Sequence, residues 1–244
     1  MKTKSKILVL ILTLALLCGA IALIASAETT GTVVSTPEEL TAAWKAATTN
    51  GGTITLKNDI EYPNTLETSG TGQTMTLDLG GHKLTYTGTA DIFMDVKAWS
   101  GRAFTVTVKN GTISVGEKVK AIRVFNEGST KTKNANFENL TVTNTATDTS
   151  FPENLVHLQN TAVNMTNVYI SGKAKDLLFI AAGSYTDGRV GKCTVAAVNT
   201  TVRNAVIPEG DGTIGRAAIF VKENNTVTMT NCLVESVYTG IRFE

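Results

Sequence analysis

The chain has 244 residues, of which 42% are hydrophobic and 18% charged, with a formal net charge of +1. That length can bury a sizeable core, and the near-neutral balance excludes both ordinary disorder and the electrostatic footprint of a nucleic-acid binder. The 40 Thr and 18 Asn against only 4 Pro exclude a mucin-like stalk and favour strands, because Thr is stiff at its branched Cβ and disfavours helices.

In chain order, the first segment is a targeting signal. Lys2, Lys4 and Lys6 precede an almost wholly apolar run from Ile7 to Ile24, and Ala25-Ser26-Ala27 follows. A basic start, an apolar stretch and a small-x-small site predict a secretory signal over residues 1–27. The run is also long enough to span a bilayer, so an uncleaved anchor is the alternative. Leu17 stands before Cys18 where a lipoprotein signal places a small residue, which argues against lipidation. Cleavage after Ala27 removes three Lys and leaves 217 residues with a net charge of −2 and two cysteines, Cys193 and Cys232. An exported fold with so few cysteines does not depend on disulfides.

Residues 28–52 are expected to carry a capping helix. Thr36-Pro37-Glu38-Glu39 is a capping box with Pro at the first helical position. Leu40, Ala43, Trp44 and Ala47 fall on one helical face, and the helix ends near Asn50-Gly51-Gly52.

Residues 53–244 repeat. An apolar residue, any residue, Asn, two residues and a second apolar residue recur around Asn110, Asn139, Asn167, Asn199 and Asn231, at spacings of 29, 28, 32 and 32. Period-two runs flank each Asn, which reads as strand, bend, strand. Asn suits the bend because it tolerates left-handed backbone angles and its amide can bond an Asn one coil away. A third strand in each period carries an apolar pair: Ile92/Met94, Ile122/Val124, Val156/Leu158, Leu178/Ile180, Ile219/Val221 and Ile241/Phe243. Three strands per period without a helix predict an all-β, right-handed parallel β-helix of about seven coils, with the N-terminal amphipathic helix as a lid on the open apolar end.

The stretch Thr36 to Ala47, then NGGTITL, TMTLDLGGHKL and the repeated coils, resembles the N-terminal part of the pectate lyase-like (pectin lyase-fold) β-helix superfamily. The resemblance covers most of the mature chain. It implies the fold and leaves the activity open, since such folds host lyases, hydrolases, adhesins and stalks. Leu79-Gly80-Gly81 stands where later coils carry Asn, so the early bend is expected to be built from Gly.

Alternation places Val106, Val108, Val163, Met165, Val227 and Met229 inward. Thr105, Thr107, Thr226 and Thr228 then face outward, in columns with Thr53, Thr55, Thr74 and Thr76, interrupted by Asn134, Asn136 and Asn164. These read as a solvated strand face. On the third strand the outward column reads Phe93, Arg123, His157, Phe179, Phe220 and Arg242. The next outward column reads Asp95, Phe125, Gln159, Ala181, Lys222 and Glu244. In the superfamily this face often carries the substrate groove. Aromatic rings beside Arg, His and Lys can hold a sugar chain, which makes Arg123, His157, Phe179, Phe220, Lys222 and Arg242 the candidate ligand-binding residues. The alternative is that the segments Thr143 to Asn154 and Ile207 to Gly215 fold over the strand and bury the Phe.

A lyase on this fold is expected to need an Arg or Lys base and Ca²⁺ or Arg at the carboxylate, and a hydrolase two flanking carboxylates. The acidic residues do not cluster in phase, so no metal site and no cofactor are expected; Ca²⁺ enters only under the lyase alternative. His157 with Arg123 is the best acid/base candidate, with Asp176 or Glu153 in support, while His82 reads as structural. Asn110, Asn139, Asn164, Asn199 and Asn224 open N-x-T triplets that follow from Asn bends beside Thr strands. Cys193 and Cys232 fall in phase with inward residues. Tyr238 to Glu244 stops inside a coil, which predicts either the front of a longer protein or a partner paired through an uncapped C-terminal coil.

The expected function is a secreted or cell-surface module, adhesin-like or structural, binding polysaccharide or cell-surface glycan without turnover. The alternative is a polysaccharide lyase or glycoside hydrolase. No nucleic-acid partner is expected, and no membrane partner after signal cleavage.

Overall fold

The computed structural model describes residues 31–68, 73–98, 104–126, 133–147, 150–183, 191–205, 217–237 and 239–244. The expected signal segment and the segment Ile207 to Gly215 lie outside these.

The chain opens on strand β1 (Thr32–Val34) and helix α1 (Pro37–Asn50). Thr36 caps the helix, its Oγ1 accepting from the Glu39 N–H at 3.2 Å, and Glu39 accepts from the Ser35 N–H at 2.6 Å. Two otherwise orphaned donors are thus satisfied. Leu40, Ala43, Trp44 and Ala47 are buried, and α1 packs on the first strands of the stack. The Trp44 indole N–H donates to the Glu67 carbonyl at 2.7 Å, which fastens the lid to the first coil.

Seven coils follow. The first comprises β2 (Gly52–Leu56), β3 (Ile60–Tyr62) and β4 (Leu66–Thr68), and the second β5 (Thr74–Asp78), β6 (Lys83–Tyr86) and β7 (Ile92–Ala98). In the next three coils the first two legs are one bent strand. These are β8 (Phe104–Val115) with β9 (Lys120–Asn126), β10 (Lys133–Asn144) with β11 (Asn154–Gln159), and β12 (Ala162–Gly172) with β13 (Asp176–Ala181). The sixth coil is β14 (Thr194–Val198), β15 (Thr201–Asn204) and β16 (Ala217–Val221). The seventh is β17 (Thr226–Thr230), β18 (Leu233–Ser236) and β19 (Thr239–Phe243).

Every pairing is parallel and joins one coil to the next. First legs run β1-β2-β5-β8-β10-β12-β14-β17, and third legs form a seven-stranded sheet in the order β4-β7-β9-β11-β13-β16-β19. This is the parallel β-helix expected from the repeat. β1 extends the first-leg sheet beneath the first coil, pairing Thr32 with Ile54, so the sheet begins before residue 53.

The bend asparagines do what their phase implies. Asn110, Asn139, Asn167, Asn199 and Asn231 have φ of 58°, 50°, 55°, 50° and 52°. Each amide donates to the carbonyl oxygen of the Asn one coil earlier, at 3.1, 2.9, 3.1 and 2.7 Å along the row from Asn139 to Asn231. Asn110 donates to Asp78 Oδ1 at 3.1 Å, so Asp78 is the foot of the ladder. Gly80, at φ 60°, makes the bend in that coil, as expected; a Cβ there would lie 2.6 Å from the Leu56 carbonyl oxygen. The ladder also occupies the amides of three N-x-T triplets.

Inward residues stack coil on coil. Met75, Val106, Ala135, Val163 and Val195 form one column, and Leu77, Val108, Phe137, Met165 and Ala197 the next. All ten are buried, and each fully buried aliphatic contributes about 2 kcal/mol of transfer free energy. Val227, Met229 and Cys232 of the seventh coil are only partly buried against this core, because among the described residues no further coil lies beyond them. Cys193 is buried and neither cysteine is paired. Outside, Asn164 donates to Asn136, and Asn136 to Thr107. These Asn therefore continue the Thr column rather than interrupt it. Thr55 sits one column across, in register with Asp78 and Lys109.

Candidate functional site

The third legs position the site. Their register aligns Glu67, Asp95, Arg123, His157, Phe179, Phe220 and Arg242 in one column across seven coils. Lys97, Phe125, Gln159 and Ala181 form the neighbouring column. This corrects the second coil. The apolar pair in register is Met94/Val96, not Ile92/Met94, because Ile92 pairs with Lys120. Asp95 therefore takes the place expected for Phe93. Phe93 is fully buried instead, stacked on Tyr86 at 5.0 Å and near Tyr62 at 6.3 Å.

At one end of the column Asp95 is clamped. Arg123 donates to both of its oxygens, at 2.8 and 2.6 Å, and Lys97 Nζ lies 2.7 Å from Oδ2. Burial alone would raise the Asp95 carboxyl, but the Arg123 and Lys97 hydrogen bonds and charges outweigh it and hold the group below its ordinary value.

In the middle, His157 stands on β11 with its ring edge against Phe179, 4.9 Å between centroids. Its Nδ1 lies 3.3 Å from Lys120 Nζ. As an ammonium, Lys120 can only donate, so Nδ1 accepts and the ring proton sits on Nε2. Nε2 is buried and makes no hydrogen bond. Burial, then the charges of Lys120 and Arg123, push His157 down to about 4, against a weaker raising influence from Gln159.

At the other end Phe179 and Phe220 are 5.3 Å apart, and the Arg242 guanidinium lies 3.6 Å from the Phe220 centroid. Phe220 is buried rather than exposed, covered by a cation rather than left bare to solvent. Lys222 is exposed, its Nζ 5.9 Å from the same ring. Along the strand edge, Asn154 and Asp176 are paired in register and buried. Asp176 accepts from the Ala217 N–H at 3.0 Å. Burial pushes it up to about 6, opposed by that hydrogen bond and by Arg242. Glu153 is exposed and pairs with Lys175 at 3.3 Å.

The column thus gathers Arg123, His157, Phe179, Phe220 and Arg242 as the sequence implies, with Asp176 at its edge. Glu153 stays at the rim. Sequence reasoning missed Lys120 and Asn154, which begin their strands, where alternation does not yet assign a face. Among the described residues no three His, Cys, Asp or Glu converge to hold a metal ion. His82 is 3.5 Å from Asp59 in the early bend, a structural contact.

Two opposed titrations follow. Asp176, raised from its unfolded value, gives stability present below about pH 4 and lost as pH rises through about 6. His157, depressed, gives stability present above its unfolded value near 6.5 and lost as pH falls toward 4. Wild type should therefore change little between pH 4 and 6. Asp176→Asn should lose stability as pH falls through that window, and His157→Gln should gain it. Urea midpoints at pH 4, 5 and 6 check this; parallel profiles for both variants would contradict it.

A family model described as "Putative pectate lyase-like adhesive domain" matches residues 31–150. The matched stretch holds Asp95, Lys120 and Arg123 and stops before His157. Neither a curated protein nor a solved structure matches the chain. Among the described residues no helix is long and apolar enough to cross a membrane.

Proposed function

Residues 31–150 belong to the pectate lyase-like superfamily, and from that premise we propose that the chain is an extracellular adhesive module that holds a polysaccharide along its third legs without turning it over. The observation that carries this reading is the register of Arg123, His157, Phe179, Phe220 and Arg242 on one face. Ring faces take the apolar side of a pyranose, and the flanking donors take its hydroxyls and carboxylates.

Binding is favoured over chemistry because the acid/base candidates within the column are already engaged, and Glu153 lies at the rim paired with Lys175. Both Asp95 oxygens are bound by cations, Asp176 accepts from a backbone N–H, and the basic nitrogen of His157 faces Lys120. A general acid or base must reach the substrate proton with a free, suitably poised group. Titration calorimetry of the secreted chain against acidic and neutral glycans tests the reading. Binding should occur with no new reducing ends and no unsaturated product, and Phe179→Ala should weaken it about tenfold. Turnover abolished by His157→Ala would instead establish the lyase or hydrolase alternative.

A further inference from the structure

Among the described residues three cationic head groups on or beside the third-leg face, Lys120, Lys222 and Arg242, form no ion pair. Among the described residues Lys120 makes no ion pair and reaches only His157 Nδ1. Arg242 makes none either, and its Nε is buried without a hydrogen-bond partner. His157 Nε2, an N–H donor by the tautomer argued above, is buried and has no partner of good hydrogen-bond geometry, although the Gln159 side chain lies close enough to act on the ring. On the acceptor side Asn154 Oδ1 is unpartnered, on a side chain 8% exposed. A buried donor left without a hydrogen bond is costly, and a bound acceptor removes that cost. Of the nearby carboxylates, Asp95 is held by Arg123 and Lys97 and Glu153 is paired with Lys175, while Asp176 feels the Arg242 charge but forms no ion pair with it and accepts from the Ala217 N–H.

The spacing of these groups is informative. Lys120 and His157 stand on the third and fourth coils, Phe179 and Phe220 on the fifth and sixth, and Arg242 on the seventh. Arg242 leans back over Phe220, so its charge sits level with the sixth coil, where Lys222 also lies near the ring. With coils about 4.8 Å apart, the two cationic centres are two rungs, or about 10 Å, from each other. Phe179 occupies the rung between them, where no unpaired cation stands among the described residues. A pyranose is about as long as one rung is high, so a chain lying along the stack presents one sugar per coil.

We infer that this face selects a glycan in which acidic and neutral sugars alternate, the acidic ones at Lys120/His157 and at Arg242, the neutral one against Phe179. The inference rests on the glycan-binding reading above and names its ligand class. A polymer acidic at every residue would set one carboxylate against the Phe179 ring, with no cation to receive it.

Calorimetry of the full chain with three size-matched hexasaccharides tests this: chondroitin, whose glucuronate alternates with a neutral amino sugar, hexagalacturonate and cellohexaose. The chondroitin oligomer should bind at least tenfold tighter than either other. Lys120→Gln and Arg242→Gln should each lower its affinity about tenfold and remove its advantage over cellohexaose, measured at a temperature where both variants remain folded. Hexagalacturonate or cellohexaose binding as tightly as chondroitin would overturn the alternation and leave the glycan-binding reading standing. Unchanged affinity in folded Lys120→Gln and Arg242→Gln would overturn the assigned cations. Binding of none of the three would sink both.

Discussion

Asn167→Ala is expected to destabilise the fold by about 2 kcal/mol, and Asn167→Gly by less. Asn167 donates to Asn139 at 2.9 Å and accepts from Asn199 at 3.1 Å. The ladder is exposed, so water competes and each bond is worth the lower half of the usual range, roughly 0.5–1 kcal/mol. The backbone adds a second cost. At φ 55° any Cβ crowds the following carbonyl; the polar side chain of Asn offsets part of that cost, alanine cannot, and glycine escapes the clash while losing the same side-chain bonds. Asn231 has only its donor bond to Asn199 in the ladder, so Asn231→Ala should cost less than Asn167→Ala. Urea unfolding of the three variants separates the contributions. Equal effects of Ala and Gly at position 167 would show that backbone angle plays no part.

That ladder was legible because one geometric demand, a left-handed residue at a fixed phase, selects one residue type in every coil. Other asparagines with comparable duties were not. Asn144 bonds the Lys173 carbonyl, Asn160 and Asn126 exchange amide-to-carbonyl bonds, and Asn204 reaches Ala174 and Ala217. They lie at corners joined by segments of unequal length, so no spacing connects them. The exchange of Phe93 for Asp95 has a different cause. Strand alternation has a period of two, and a shift of two residues keeps every side chain on its face. The pattern reads the same whether Ile92 or Met94 opens the pair, and only pairing with β9 decides. The slip matters for the site, since it brings a carboxylate next to Arg123 and takes a candidate ring out of the column. Lys120 and Asn154 escaped because their roles depend on which neighbours lie one coil away.

Asp95→Ala is expected to cost about 3 kcal/mol, the typical effect of removing one partner from a buried pair. It removes the bidentate bridge to Arg123, while among the described residues Lys97 keeps its contact with Glu67 at 3.8 Å. Asp95→Leu with Arg123→Met should recover much of the loss, because apolar side chains of similar volume carry no unpaired charge. The pH dependence has a definite sign. The Asp95 carboxyl is held below its ordinary value of 3.8, so its contribution is complete above about pH 4 and disappears as pH falls through the lower folded-state value. Asp95→Ala should thus differ most from wild type at neutral pH and converge with it in strong acid; a constant difference would contradict the ion-pair account. Its effect on binding runs the other way. Removing Asp95 takes a negative charge away from beside Arg123, Lys120 and His157, and affinity for an acidic glycan should rise as stability falls. Calorimetry at a temperature where the variant remains folded reads that rise, and weaker binding would show that Asp95 orients the face rather than restrains it.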